Sequence, residues 1–259
     1  MAGGIKMTGQ PFVQLRHVVR EYSQLDGRPA LVALDDINLD IHKGSFTCIV
    51  GESGCGKTSL LRLLAGLDTA ASGSILFDGK SVNGPNEKCG MVFQKNSLFP
   101  WLTVRENVAF GPKRTGRYKG NEKQIDELLR MVRIEAFAES YPAQLSGGMQ
   151  QRVALAQSLA NKPETLLLDE PLSALDAFTR MHLQDEFLRL WQLNNNTVVM
   201  ITHDIDEAIY LADTIVLISP RPGRISSVEE NKMSYPRDRT SDAFLKLRNQ
   251  LLIQLSYAK

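Results

Sequence analysis

Residues 51–58 read Gly51-Glu52-Ser53-Gly54-Cys55-Gly56-Lys57-Thr58 and satisfy G-x-x-x-x-G-K-[ST] at every fixed position. The chemistry of that spacing is polyphosphate binding. Glycines let the backbone turn left-handed and approach an anion closely. Successive N–H groups, with the N-terminus of a following helix, then form a concave anion site. Lys57 is expected to reach the β- and γ-phosphates, and the Thr58 hydroxyl to ligate Mg²⁺. Ser59 closes the same loop. Cys55, inside the loop, suits a small filler residue better than a reactive thiolate. A second acidic feature follows at Leu166-Leu167-Leu168-Asp169-Glu170, an apolar run ending in two carboxylates. Beside a phosphate loop, such a strand delivers Asp169 to the metal and Glu170 to the attacking water as general base.

Positioning these groups requires strands that end where the chemistry begins. Ser45–Val50 is a short apolar run stopping at Gly51, and Lys57–Leu64 carries Leu60, Leu61, Leu63 and Leu64 on a helical face. Strand patterns also cover 12–21, 34–41, 74–77, 90–93, 165–168, 197–201 and 214–218. Helical patterns cover 178–193, 205–211 and 242–255. Strands alternating with helices imply a mainly parallel sheet covered on both faces. From about Thr103 to Asn161 the pattern is helical, which predicts a helical subdomain over about 97–160. Residues 1–11 read as a flexible leader, 12–240 as the main domain and 241–259 as a C-terminal helix and tail. Asp26-Gly27-Arg28-Pro29 and the region after Pro220 read as turns.

Composition narrows the function classes. The 259 residues carry 30 Lys+Arg and 29 Asp+Glu, a net charge of +1, without the basic excess of a free-standing nucleic-acid binder. No run approaches the roughly 18 apolar residues of a membrane span. Three cysteines form neither a disulfide framework nor a zinc pattern.

Between the two acidic and phosphate features lies Leu145-Ser146-Gly147-Gly148-Met149-Gln150-Gln151-Arg152. This resembles the signature of the ATP-binding-cassette (ABC) ATPases, usually Leu-Ser-Gly-Gly-Gln, with Met149 at the fifth position. The resemblance implies an α/β fold, a P-loop NTPase cassette with a RecA-like core, an antiparallel β subdomain and an α-helical subdomain. It implies ATP and Mg²⁺, and a dimer in which Ser146, Gly147 and Gly148 meet the γ-phosphate held by the partner's loop. Further motifs fall in family order. Gln94 is similar to the glutamine that senses Mg²⁺ and the γ-phosphate, so Thr58, Gln94 and Asp169 form the expected metal set. Ser173-Ala174-Leu175-Asp176 is similar to the segment that crosses the dimer interface. His203 is similar to the switch histidine, able to bond the γ-phosphate and Glu170, and Tyr22 to the aromatic that stacks on adenine. Each also fits a plainer role: Gln94 a solvated amide, His203 a satisfied strand-end histidine, Tyr22 a core ring. Their order favours the functional reading.

One cassette without a membrane domain resembles the separate subunit of a binding-protein-dependent importer, peripheral to the cytoplasmic face of the inner membrane. Its expected partners are a second cassette, a permease received at the Gln94–Asn107 region and, indirectly, an extracytoplasmic solute-binding protein; nucleic acid is not among them. Phe99, Pro100 and Trp101 in Ser97–Asn107 suit an aromatic anchor at such an interface, against burial within this chain. That stretch, with Pro220-Arg221-Pro222-Gly223-Arg224-Ile225 and Tyr235-Pro236-Arg237-Asp238, is similar to the nitrate/sulfonate/taurine importer branch. The alternative, a soluble ABC ATPase acting on DNA or the ribosome, lacks the long coiled-coil insertion or second cassette usual there. The cations Lys113, Arg114, Arg117, Lys119 and Lys123 read as a solvated loop, with lipid headgroups as a weaker alternative.

Overall fold

The structure, a computed structural model, describes residues 11–24, 29–86, 88–94, 98–116, 118 and 122–257. Most of the leader, positions 26–28 of the first turn, and Ser97, Arg117 and Lys119 lie outside the described residues. In chain order the elements are β1 (Val13–Tyr22), β2 (Leu31–Ile41), β3 (Phe46–Val50), α1 (Lys57–Leu64), β4 (Ser72–Phe77), β5 (Lys80–Ser81), β6 (Cys89–Val92), α2 (Val104–Arg114) and α3 (Glu122–Met131). They continue as α4 (Gly147–Ala160), β7 (Thr165–Asp169), α5 (Ala177–Asn194), β8 (Thr197–Thr202), α6 (Ile205–Leu211), β9 (Thr214–Ile218), β10 (Ile225–Glu230) and α7 (Asp242–Tyr257).

The chain forms two compact units, Met1–Asn86 with Thr197–Lys259, and Glu87–Asn196. The first unit holds an antiparallel sheet ordered β2-β1-β4-β5. Alternating apolar residues set its register, with Leu15 opposite Leu39 and Val18 opposite Ile37, all buried. It also holds the parallel strands β8, β3 and β9, with β10 antiparallel at the edge. Every residue of β3 and β8 is buried, as a parallel strand covered on both faces requires. Val50 pairs with Thr202 and with Leu217, so the chain leaves neighbouring strands at one level, into Gly51 and His203. Ligands of open parallel sheets bind at such carboxyl ends.

The second unit pairs β6 with β7 in parallel, Val92 beside Leu168. Here α4 packs against α2 and α3. A capping box starts α2: the Thr103 hydroxyl accepts from Glu106 N, and the Glu106 carboxylate accepts from Thr103 N. Caps of this kind contribute about 1 kcal/mol.

Two strands escaped the sequence pattern. β10 lies where only turns are expected; its Ile-Ser-Ser-Val-Glu-Glu alternates half-buried and exposed residues, the signature of a polar edge strand. β5 is two residues long. Lys113, Arg114 and Lys123 lie on α2 and α3 rather than in a loop.

Candidate functional site

In the first unit the loop 51–56 joins β3 to α1. Gly54 and Gly56 have φ +81° and +106°, values that a side chain strains. A Cβ on Gly56 would also lie 2.7 Å from Ala33 O, and one on Gly51 would lie 2.9 Å from Ile218 O. Backbone therefore packs on the loop where those glycines stand. Lys57 is buried, and its Nζ donates to Gly51 O at 2.7 Å and Glu52 O at 2.8 Å, bracing the loop across its mouth. The first turn of α1 has no acidic residue to offset the helix dipole. Cys55 is buried with Sγ 3.9 Å from Lys57 Nζ, a packing role. Glu52, Ser53, Gly54 and Thr58 are exposed on the rim. A cradle of glycines, a braced ammonium, a rim hydroxyl and an uncompensated helix N-terminus suit a polyphosphate with its divalent cation.

Tyr22 stands beside this helix. Its hydroxyl is 2.9 Å from Ser59 Oγ and donates to Asp68 at 3.2 Å, and the Arg20 guanidinium lies 4.3 Å from its ring centroid. Arg20 also pairs with Asp68 at 2.7 Å. His203 is exposed at the end of β8, before Asp204, whose carboxylate caps α6 by accepting from Glu207 N.

In the second unit β7 ends at the buried Asp169. Glu170 follows at φ +48°, a left-handed conformation that costs a non-glycine residue about 1–3 kcal/mol. Gln94 Nε2 donates to Glu170 Oε2 at 3.3 Å, so two expected site residues meet directly. Ser146 caps α4 by accepting from Met149 N, and Ser146 and Gly147 are exposed. Asp176 caps α5, accepting from Thr179 N at 3.0 Å; that bond holds its carboxyl below the usual aspartate range.

Trp101 is 70% exposed, so burial within the unit does not account for it. Phe99 is half-buried between Trp101 and Phe110, with ring centroids 5.7 and 4.3 Å away.

Three side chains given no role in the sequence reading stand out. Buried Asn107 accepts from Phe99 N and donates to Phe99 O, Leu102 O and Thr103 O, tying down the turn that presents Trp101. Arg221 donates twice to Gly54 O, at 3.1 and 2.8 Å. Nearby, a Cβ on Gly223 would lie 2.1 Å from Cys55 O. The Pro220–Gly223 segment is thus a backing for the phosphate loop, and its Pro-Arg-Pro-Gly text was the available signal. Gln151 is buried and bonds the backbone on both sides of the Glu170 turn; its only signal was its place one turn into the signature helix.

The model of the ABC transporter family matches residues 34–173. The chain is 44% identical over 245 residues to an aliphatic sulfonates import ATP-binding protein SsuB of Bacillus cereus, covering 95% of this chain and 96% of that one. It is 50% identical over 221 residues to an uncharacterized ABC transporter ATP-binding protein, MJ0412, of Methanocaldococcus jannaschii, covering 85% and 83%. Among solved structures, the dimeric post-hydrolysis state of the ATP-binding cassette MJ0796 bound to ADP and Pi superposes with a TM-score of 0.76 at 33% identity, over 86% of this chain and all of that one. A phosphate cradle between β3 and α1, an acid-ended β7 and a serine-capped signature helix are the parts such a cassette needs. The chain belongs to the ABC transporter family and has the fold of its ATP-binding cassette ATPases.

Proposed function

We propose that the chain is the ATP-hydrolysing subunit of a multi-subunit importer, and that the imported solute is a small anion of the sulfonate, taurine or nitrate class. The observation that carries the enzymatic part is the braced loop Gly51–Lys57 leading into α1. Its backbone N–H groups and Lys57 hold the β- and γ-phosphates, with Tyr22 beside the adenine. Thr58, Asp169 and Gln94 are the residues that would hold Mg²⁺, which would neutralise phosphate charge. Glu170 accepts a proton from the attacking water, aided by His203, as the water oxygen bonds to the γ-phosphorus and the bond to the ADP oxygen breaks. Ser146, Gly147 and Gly148 meet the nucleotide of a partner cassette, and Met149 leaves those three groups in place.

The transport part is supported by the sulfonate-import names of relatives matching nearly end to end. It is also supported by the exposed Trp101 on its Asn107-tied turn. We assign that turn to a permease, which places the subunit at the cytoplasmic face of the membrane. No helix among the described residues is long and apolar enough to cross a membrane. An extracytoplasmic binding protein would deliver the solute.

Co-purification tests the permease contact. Trp101→Ala should weaken capture of the permease at least tenfold, as loss of an aromatic anchor does, with ATP affinity unchanged; undiminished capture would remove Trp101 from the interface. Arg221→Ala removes both hydrogen bonds to the Gly54 carbonyl. It should weaken ATP binding about three- to tenfold, equivalent to roughly 1 kcal/mol. A fluorescence titration with a labelled nucleotide reads this, and parent affinity would leave the Arg221 bonds without consequence for binding.

A further inference from the structure

Gln151 lies on α4, one turn beyond the signature glycines, and is 2% exposed. Both ends of its amide are committed to backbone. Its Nε2 donates to Glu170 O at 2.9 Å, and its Oε1 accepts from Ala174 N at 3.1 Å. Glu170 O also accepts from Ser173 Oγ at 3.0 Å and Ser173 N at 3.3 Å. These bonds converge on the carbonyl of a residue whose left-handed backbone, φ +48°, does not hold itself. The same helix touches the same segment again at Gly148, where a Cβ would lie 3.0 Å from Ala174 O and 3.2 Å from Leu175 Cδ2. The first two turns of α4 are therefore laced to residues 170–175 by a close backbone approach and by one buried amide. A buried amide with both functions paired is costly to disturb, because removing it strands two backbone groups.

We propose that Gln151 is a positioning residue for ATP hydrolysis: its amide holds the Glu170 turn in place and binds that turn and the Ala174 segment to the signature helix as one piece. This rests on the reading of Glu170 as general base. One consequence concerns the dimer. The exposed Ser146–Gly147 end of α4 engages nucleotide on a partner cassette, while Gln151 on the same helix grips the base of its own chain. Engagement at one end is thereby felt at the other. The connection is a contiguous set of hydrogen bonds within one unit.

The test separates rate from binding. Full-length protein is assayed for single-turnover hydrolysis at saturating ATP and for ATP affinity. Gln151→Leu keeps the volume and removes both bonds; its hydrolysis rate should fall about 10- to 100-fold, the scale of a small misplacement of a reacting group. Its ATP affinity should stay within about twofold of the parent. A purely structural role would reduce rate and affinity together with thermal stability, and that result would overturn the proposal. Should Gln151→Leu fail to fold, Gln151→Glu keeps an acceptor for Ala174 N but loses the donor to Glu170 O. The same loss of rate is expected there, and the parent rate would overturn the proposal.

A double-mutant cycle with Glu170→Gln distinguishes this inference from the reading beneath it. Because Gln151 acts through Glu170, adding Gln151→Leu to Glu170→Gln should cost less than about twofold more. A full additional loss would place Gln151's effect elsewhere. If Glu170→Gln alone hydrolyses at the parent rate, the base reading has failed. If Glu170→Gln is inactive while Gln151→Leu matches the parent, the base reading stands and the positioning role has failed.

Discussion

Glu170→Gln should bind ATP with near-parent affinity, form a stable ATP-bound dimer and hydrolyse about 10²- to 10⁴-fold more slowly, the range that a general base contributes. The replacement is nearly isosteric and keeps the backbone carbonyl that Gln151 and Ser173 grip. It also keeps an oxygen for Gln94 Nε2, which donates to Oε2 in the parent. The negative charge and the capacity to accept a proton are lost. The expected signature is therefore a collapse of kcat with little change in binding, read by single-turnover hydrolysis beside a nucleotide titration. Size-exclusion chromatography with ATP should show the dimer persisting where the parent returns to monomer. Hydrolysis at the parent rate would remove Glu170 from the proton transfer.

Lys57→Ala should show the opposite split. The Lys57 ammonium is buried and bonded to Gly51 O and Glu52 O, so its loss removes both the phosphate's cationic partner and the brace across the loop. A charge-assisted hydrogen bond contributes about 1.5–3 kcal/mol, so ATP affinity should fall by about 10- to 100-fold, with hydrolysis falling at fixed subsaturating ATP. Because Nζ donates to two loop carbonyls, the stability of the protein itself should also drop, by about 1–3 kcal/mol in urea titration. Unchanged nucleotide affinity would count against the loop as the phosphate site.

Much of this arrangement was legible in the sequence because the strongest signals are local. The loop 51–58 declares itself by its fixed positions, and the strands beside it by continuous apolar runs, since β3 and β8 are buried on both faces. The acid pair reads plainly because β7 is apolar up to Asp169. What escaped depends on contacts made at a distance. β10 carries serines and glutamates because one side of an edge strand faces water, and that composition resembles a loop. Arg221 meets Gly54 across 167 positions, and nothing in the spacing of Pro220–Gly223 indicates what it touches. Gln151 could have been any polar residue of a signature helix. Its role comes from full burial against residues 170–174, which no periodicity reports. Asn107 likewise looks like a helix-surface amide until four hydrogen bonds converge on it from residues 99–103.

The exposed Trp101 and the capped, solvent-facing Ser146 and Gly147 have a common physical sense. An indole at 70% exposure and the exposed Ser146–Gly147 start of α4 are both solvent-facing surfaces of a single chain. On the proposed reading, a permease covers the first and a second cassette the other. The relatives' names supply the direction of transport, and the cassette's own residues supply the energy step.

The most direct measurement is uptake. The chain would be reconstituted with its cognate permease in proteoliposomes, with the binding protein and a labelled alkanesulfonate, taurine or nitrate on the side opposite the cassette. One of these anions should accumulate with a requirement for ATP on the cassette side, and the accumulation should disappear with Glu170→Gln. ATP hydrolysis by the assembled complex without ATP-dependent uptake of any of the three would contradict a role in import of this anion class.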